Sequence, residues 1–118
     1  MLKNKSFNTV SGSIAESQAV DYVKNTLKFK ILETNHKNKI GEIDIIALDK
    51  KTIVFIEVKY SSSKMFGLPR ERVNFYKQNK IRQVALAYLK MKSRMDSAVR
   101  FDVIDIVQDE ISYIENAF

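Results

Sequence analysis

The 118-residue chain is 45% hydrophobic and 29% charged with only 3 Gly and 1 Pro, which excludes disordered and fibrous classes and predicts one packed domain over residues 1–118. It contains no Cys, so disulfides and thiolate metal sites are excluded, any metal must be held by oxygen or nitrogen, and a cytoplasmic location is expected. The formal charge of +6 favours a polyanionic partner such as nucleic acid, and no apolar run approaches the roughly 20 residues needed to cross a bilayer, so neither export nor membrane insertion is expected.

In chain order, Ser13-Ile14-Ala15-Glu16 has the form of a capping box, and Glu16, Val20, Val23 and Leu27 recur on one helix face. A first helix is predicted from about Ser13 to Leu27. Strands are predicted over Phe29–His36, Ile40–Leu48 and Thr52–Tyr60, the last two forming a hairpin across Asp49-Lys50-Lys51. Ser61 to Arg70 holds Ser-Ser-Ser, Gly67 and Pro69 and reads as a loop that ends in a helix start. The second helix is predicted from about Pro69 to Met91, with Val73, Ile81, Val84, Ala85 and Tyr88 in its apolar stripe and Lys77 on the same line. Two short strands, Phe101–Val107 and Ile111–Ile114, close the chain around Gln-Asp-Glu. The order α-β-β-β-α-β, with a further strand, predicts an α/β fold with a mixed central sheet flanked by helices.

In the second strand Ile43, Ile45 and Ala47 fall on one face, and Ile46 and Leu48 on the other with Glu42 and Asp44, so both faces are predicted buried. Charges inside such a strand need compensation, because burying an unpaired carboxylate is costly. If Lys50-Lys51 is a two-residue turn, Asp44 stands opposite Glu57 and Glu42 opposite Lys59. A three-residue loop would turn Glu57 away from Asp44 unless a bulge restored the register. In the even register the two carboxylates have Cβ atoms about 4.5–5.5 Å apart and repel, unless a hard cation such as Mg²⁺ lies between them. Lys59 would then neutralise a phosphate oxygen or help orient or deprotonate a water.

Plainer readings stand beside these. Glu57 and Lys59 can form an ordinary strand-end ion pair, and Asp44 can be a hydrogen-bonded carboxylate. Glu16 has two readings: the capping box explains it, and its stripe position makes it a further carboxylate facing the sheet. His36, with no second His to join it, is expected to be a strand-end side chain. The cations of the second helix are expected to be a solvated face, except Lys77, which the stripe aims inward or along the rim of the site.

The run Gly41-Glu42-Ile43-Asp44-Ile45-Ile46-Ala47 followed by Phe55-Ile56-Glu57-Val58-Lys59 resembles the YraN family of uncharacterised bacterial proteins, also called UPF0102. Glu16, Ala19, Asn35, Gly67, Pro69, Lys77, Ile81 and Arg100-Phe101-Asp102 also match its pattern, so the resemblance covers nearly the whole chain. Ala15, Ser61 and Lys80 depart from it, standing where the family tends to have Gly, Arg and Arg. The family is similar to the restriction-endonuclease-like, or PD-(D/E)XK, nuclease superfamily and in fold to archaeal Holliday-junction resolvases. The resemblance implies that Asp44 and Glu57, with the carbonyl of Val58, bind Mg²⁺ or Mn²⁺, that Glu16 adds a carboxylate, and that Lys59 assists an attacking water. It also implies a possible homodimer and cleavage at the 3′ oxygen. Lys64 is the candidate to replace the phosphate contact missing at position 61.

The expected function is metal-dependent endonuclease-like hydrolysis of phosphodiesters in nucleic acid, with DNA favoured. Lys64, Arg70, Lys77 and Lys80 are the candidate nucleic-acid contacts. The rival readings are a catalytically silent nucleic-acid-binding module and an interaction domain whose strand charges only form internal ion pairs.

Overall fold

The computed structural model describes residues 10–61 and 73–118. Helix α1 (Val10–Asp21) widens into a π turn over Tyr22–Thr26 and leads into β1 (Lys30–Lys37), β2 (Glu42–Asp49) and β3 (Thr52–Ser61). Helix α2 (Phe75–Met91), β4 (Ala98–Val107) and β5 (Glu110–Ile114) complete the chain. The five strands form one mixed sheet in sequential order, antiparallel at every junction except β3–β4, which is parallel. Parallel neighbours require a crossover, and α2 lies within it. The predicted α-β-β-β-α-β order is therefore present, with β5 as the added strand.

Period-two alternation assigns the β3 side chains to two cores. Ile53 and Phe55 pack with Ile81, Val84, Ala85 and Tyr88 of α2, while Val54, Ile56 and Val58 pack with Ala15, Ala19 and Val23 of α1 and its π turn. Covering on both faces explains why β2 and β3 read as nearly continuous apolar runs. The β2–β3 turn is the two-residue Lys50-Lys51, with Asp49 paired to Thr52 and Lys50 in the left-handed region at φ 57°. At the β4–β5 turn both central residues, Gln108 and Asp109, have positive φ, the type I′ signature that suits the twist of a hairpin.

Three sequence expectations are corrected. Helix α1 is already under way at Val10, so Ser13 is an internal residue and not its N-cap. Its buried line is Ala15, Ala19 and Val23, small residues that admit a close approach to the sheet, which leaves Glu16 and Val20 on the flank. Helix α2 starts at Phe75: Asn74 is extended at ψ 169° and its side chain accepts from the Lys77 N–H, capping the first turn, so Val73 is buried just ahead of the helix. The Pro69 start and the Ser-Ser-Ser, Gly67 and Pro69 loop fall mostly outside the described residues. Finally, Ile43 and Ile45 do not share a face: Ile43 joins the α2-side core and Ile45 the α1-side core. Among the described residues, no helix is long and apolar enough to cross a membrane.

Candidate metal and phosphodiester site

The change of face between Ile43 and Ile45 builds the site. Asn35 lies between the β1 residues Thr34 and His36, which pair with Ile45 and Ile43, so it stands across from Asp44. Its φ of 52° is left-handed, a conformation Asn tolerates better than most residues. The neighbouring His36 lies on the α2 side, where its ring meets Tyr88 edge-on at 5.1 Å. The Asp44 carboxylate turns into the sheet plane, where Oδ2 accepts the Val58 N–H at 2.8 Å.

The β2–β3 pairing runs from Asp49–Thr52 to Ile45–Ile56. This is the even register expected from the two-residue turn, and its next step sets Asp44 opposite Glu57. Glu57 follows Phe55 onto the α2 side, whereas Asp44 reaches between the strands to the Val58 backbone. Both residues are 2% exposed. Within a strand the N–H and C=O of one residue point to the same edge, so the Val58 carbonyl is directed to the same gap as Asp44.

Lys77, in the first turns of α2, brings its Nζ to 3.5 Å from Glu57 Oε2 while its side chain remains 39% exposed. The inward or rim position expected for Lys77 is therefore the observed one. Lys59 is half-buried and follows Glu57 along the α2 face. Its register partner on the parallel strand is Asp105, 3% exposed. Asp105 is missed by the sequence reading, although a charge inside Val103-Ile104-Asp105-Ile106 of a buried strand was the available signal. Asn35 is the second unassigned contributor: its Nδ2 donates to Glu16 Oε2, which explains Glu16 without a capping box and ties α1 to the strand position opposite Asp44.

Lys80 makes its contacts with the segment before β2 and with its own helix. Its Nζ donates to the Ile40 carbonyl at 3.4 Å and lies 5.5 Å from the Tyr76 ring centroid. Lys64 and Arg70 lie outside the described residues. His36 Nδ1 lies 2.6 Å from Glu33 Oε2, which fits the strand-end reading. Among the described residues no group of three or more His, Asp or Glu side chains converges at ligand distance. Asp44 accepts from Val58 at the strand gap, Glu57 lies on the α2 side beside Lys77, and Glu16 is joined through Asn35 to the strand position across from Asp44, so the candidate ligands there are all oxygens. This donor set suits a hard divalent cation that retains water, such as Mg²⁺ or Mn²⁺.

A second charged cluster lies at the opposite ends of β3 and β4. Asp102 is fully buried and accepts from Arg100, from the Asn116 N–H at 2.8 Å and from the Tyr113 hydroxyl, and Arg100 also reaches Asp49 at 3.1 Å. Burial, and then the bond to Asp102, push the Tyr113 phenol well above its usual range. These contacts tie β2, β4, β5 and the C-terminal residues together.

Comparison with known proteins matches residues 15–106 to the uncharacterised protein family UPF0102. A UPF0102 protein of Geotalea daltonii is 44% identical, over 98% of this chain and 94% of its own length. One from Thermodesulfovibrio yellowstonii is 48% identical, over 91% of this chain and 94% of its own length. Among solved structures, that of SSO0001 aligns with a TM-score of 0.46 at 21% identity, over 90% of this chain and 50% of that one.

Proposed function

The chain belongs to the uncharacterised protein family UPF0102, and from that premise we propose that it is a divalent-cation-dependent, endonuclease-like phosphodiesterase acting on nucleic acid, with DNA as its substrate class. One observation carries the proposal: the β2–β3 register sets two buried carboxylates, Asp44 and Glu57, opposite one another on adjacent strands, one of them fixed to the Val58 backbone. Buried carboxylates weaken a fold unless they are compensated, and a site for a cation is a reason to keep two of them together. A bound Mg²⁺ or Mn²⁺ would polarise the phosphodiester and make a neighbouring water more acidic.

The chain's own residues supply the rest. Asp44 is held rigidly by the Val58 N–H, and Glu57 is kept in place by the packed α2 face around it. Lys59, at the open end of that face, stabilises negative charge as it builds on the phosphoryl oxygens, an effect felt most strongly away from bulk water. Asn35 holds Glu16 toward the same gap. The second reading, an internal ion-pair cluster, is favoured by the Lys77–Glu57 contact at 3.5 Å.

Incubating the protein with linear, nicked and branched DNA and with RNA, in Mg²⁺, Mn²⁺ or chelator, separates the readings. Cation-dependent cleavage supports the nuclease. Binding without cleavage supports the silent module, and neither binding nor cleavage leaves the ion-pair cluster.

A further inference from the structure

Resting on the nucleic-acid reading above, we infer that Phe75 and Tyr76 form a stacking step for unpaired bases, so that the ligand engaged beside the acidic site is single-stranded nucleic acid. The two rings are consecutive and lie outside both cores, 72% and 70% exposed. Isolated apolar side chains on a surface are ordinary, but two adjacent large rings on one turn are an exposed cost that contact with a ligand would recover.

Their mounting is rigid. Asn74 caps the turn through the Lys77 N–H at 2.8 Å, the Gln78 side chain donates to the Val73 carbonyl at 2.9 Å, and Val73 is buried beneath them. A turn held this way keeps the backbone of both ring-bearing residues in place when a base stacks on them. Lys77, the next residue, reaches Glu57, so the rings stand one and two residues from a side chain that touches the candidate site.

Charge identifies the occupant. Helix α2 carries Lys77, Lys80, Arg82 and Lys90 and not one carboxylate. A second copy docked symmetrically through this helix would oppose cation to cation, whereas a polyanion is attracted to it. Every base has a flat π face, and stacking on aromatic side chains with cations along the backbone is how sequence-tolerant single-strand binding works. In a duplex the faces are already stacked and the rings have nothing to take.

Fluorescence anisotropy with a labelled oligothymidine and a labelled mixed-sequence duplex, both in chelator so that no cleavage intervenes, tests the inference. Phe75→Ala and Tyr76→Ala should each weaken oligothymidine binding roughly tenfold, while duplex affinity stays at the parent value. Tyr76→Phe should retain the parent affinity and Tyr76→Leu should lose it, since leucine keeps the apolar bulk without the π face. Single-strand affinity unchanged in the alanine variants overturns the inference, as does a parent that binds duplex but not oligothymidine. In both cases the nuclease reading stands. A parent that binds neither probe overturns both. Loss of a dimer on Tyr76→Ala, seen by sedimentation without a change in oligothymidine binding, makes the rings a subunit interface and also overturns the inference.

Discussion

Asp44 does two things at once, and substitutions separate them. Its Oδ2 satisfies the buried Val58 N–H, so Asp44→Ala should cost about 1–3 kcal/mol by leaving that donor unpaired, readable as a shift of the urea midpoint. Asp44→Asn keeps an acceptor for Val58 and removes the charge. Its metal-free form should melt at or above the parent temperature, and the stabilisation by Mn²⁺ expected in the parent should shrink. An equal Mn²⁺ response in the two proteins would remove Asp44 from the ligand set. Lys77 gives a companion test, because its ammonium competes with any cation for Glu57. Lys77→Ala should bind Mn²⁺ more tightly, by on the order of tenfold at most given its exposure to solvent. If it binds more weakly, Lys77 supports the site instead of competing for it. The positions of Asp44, Glu57 and Lys59 were legible because a charge inside an apolar strand run is conspicuous. The left-handed backbone of Asn35 was not, since an Asn inside Glu33-Thr34-Asn35-His36 permits that conformation without requiring it.

Among the elements, the β2–β3 hairpin was the most legible: two apolar runs around Lys50-Lys51 admit a short turn, and an even turn fixes the register down to Ile45–Ile56. The phase of helix α1 is not legible locally, because Ser13 and Glu16 match a capping pattern that only the helical residues from Val10 overrule. Alanine also contributes little to a hydrophobic stripe, although Ala15 and Ala19 are the residues that touch the sheet. The start of α2 is hidden in the sequence because Asn74 caps it only when Val73 is drawn into the core. Strands β4 and β5 are held through Asp102, Arg100 and Tyr113, and this predicts a pH effect. The Tyr113 phenol is raised by burial and by Asp102, so its contribution to stability is complete below its unfolded value near 10 and is lost as pH rises beyond it. Unfolding free energy of the parent should therefore fall above about pH 10. Tyr113→Phe should start lower, having lost its bond to Asp102, and fall less steeply, with a residual slope from Tyr88, whose phenol burial and then Glu33 also raise. Parallel slopes would mean that Tyr113 ionises as readily in the folded chain as in the unfolded one.

For the whole molecule, the excess of 20 Lys and Arg over 14 Asp and Glu was visible from composition, but not where the surplus lies. The carboxylates Asp44, Glu57, Asp102 and Asp105 are buried in the sheet, while α2 presents cations alone. Duplex binding should therefore weaken steeply with salt, with a log–log slope of about −0.9 per phosphate neutralised, and a flat response would exclude an electrostatic interface. The central claim is that the chain hydrolyses phosphodiesters through a cation held at Asp44 and Glu57, with Lys59 stabilising the developing charge. The most direct test is the initial rate of DNA cleavage in Mn²⁺ by the parent and by Lys59→Ala at matched fold and matched DNA occupancy. The account predicts cleavage by the parent, abolished by chelator, and a loss of about 10²–10³ in rate for Lys59→Ala. Equal rates in the two proteins, or a parent that binds DNA in Mn²⁺ and leaves it intact, would contradict it.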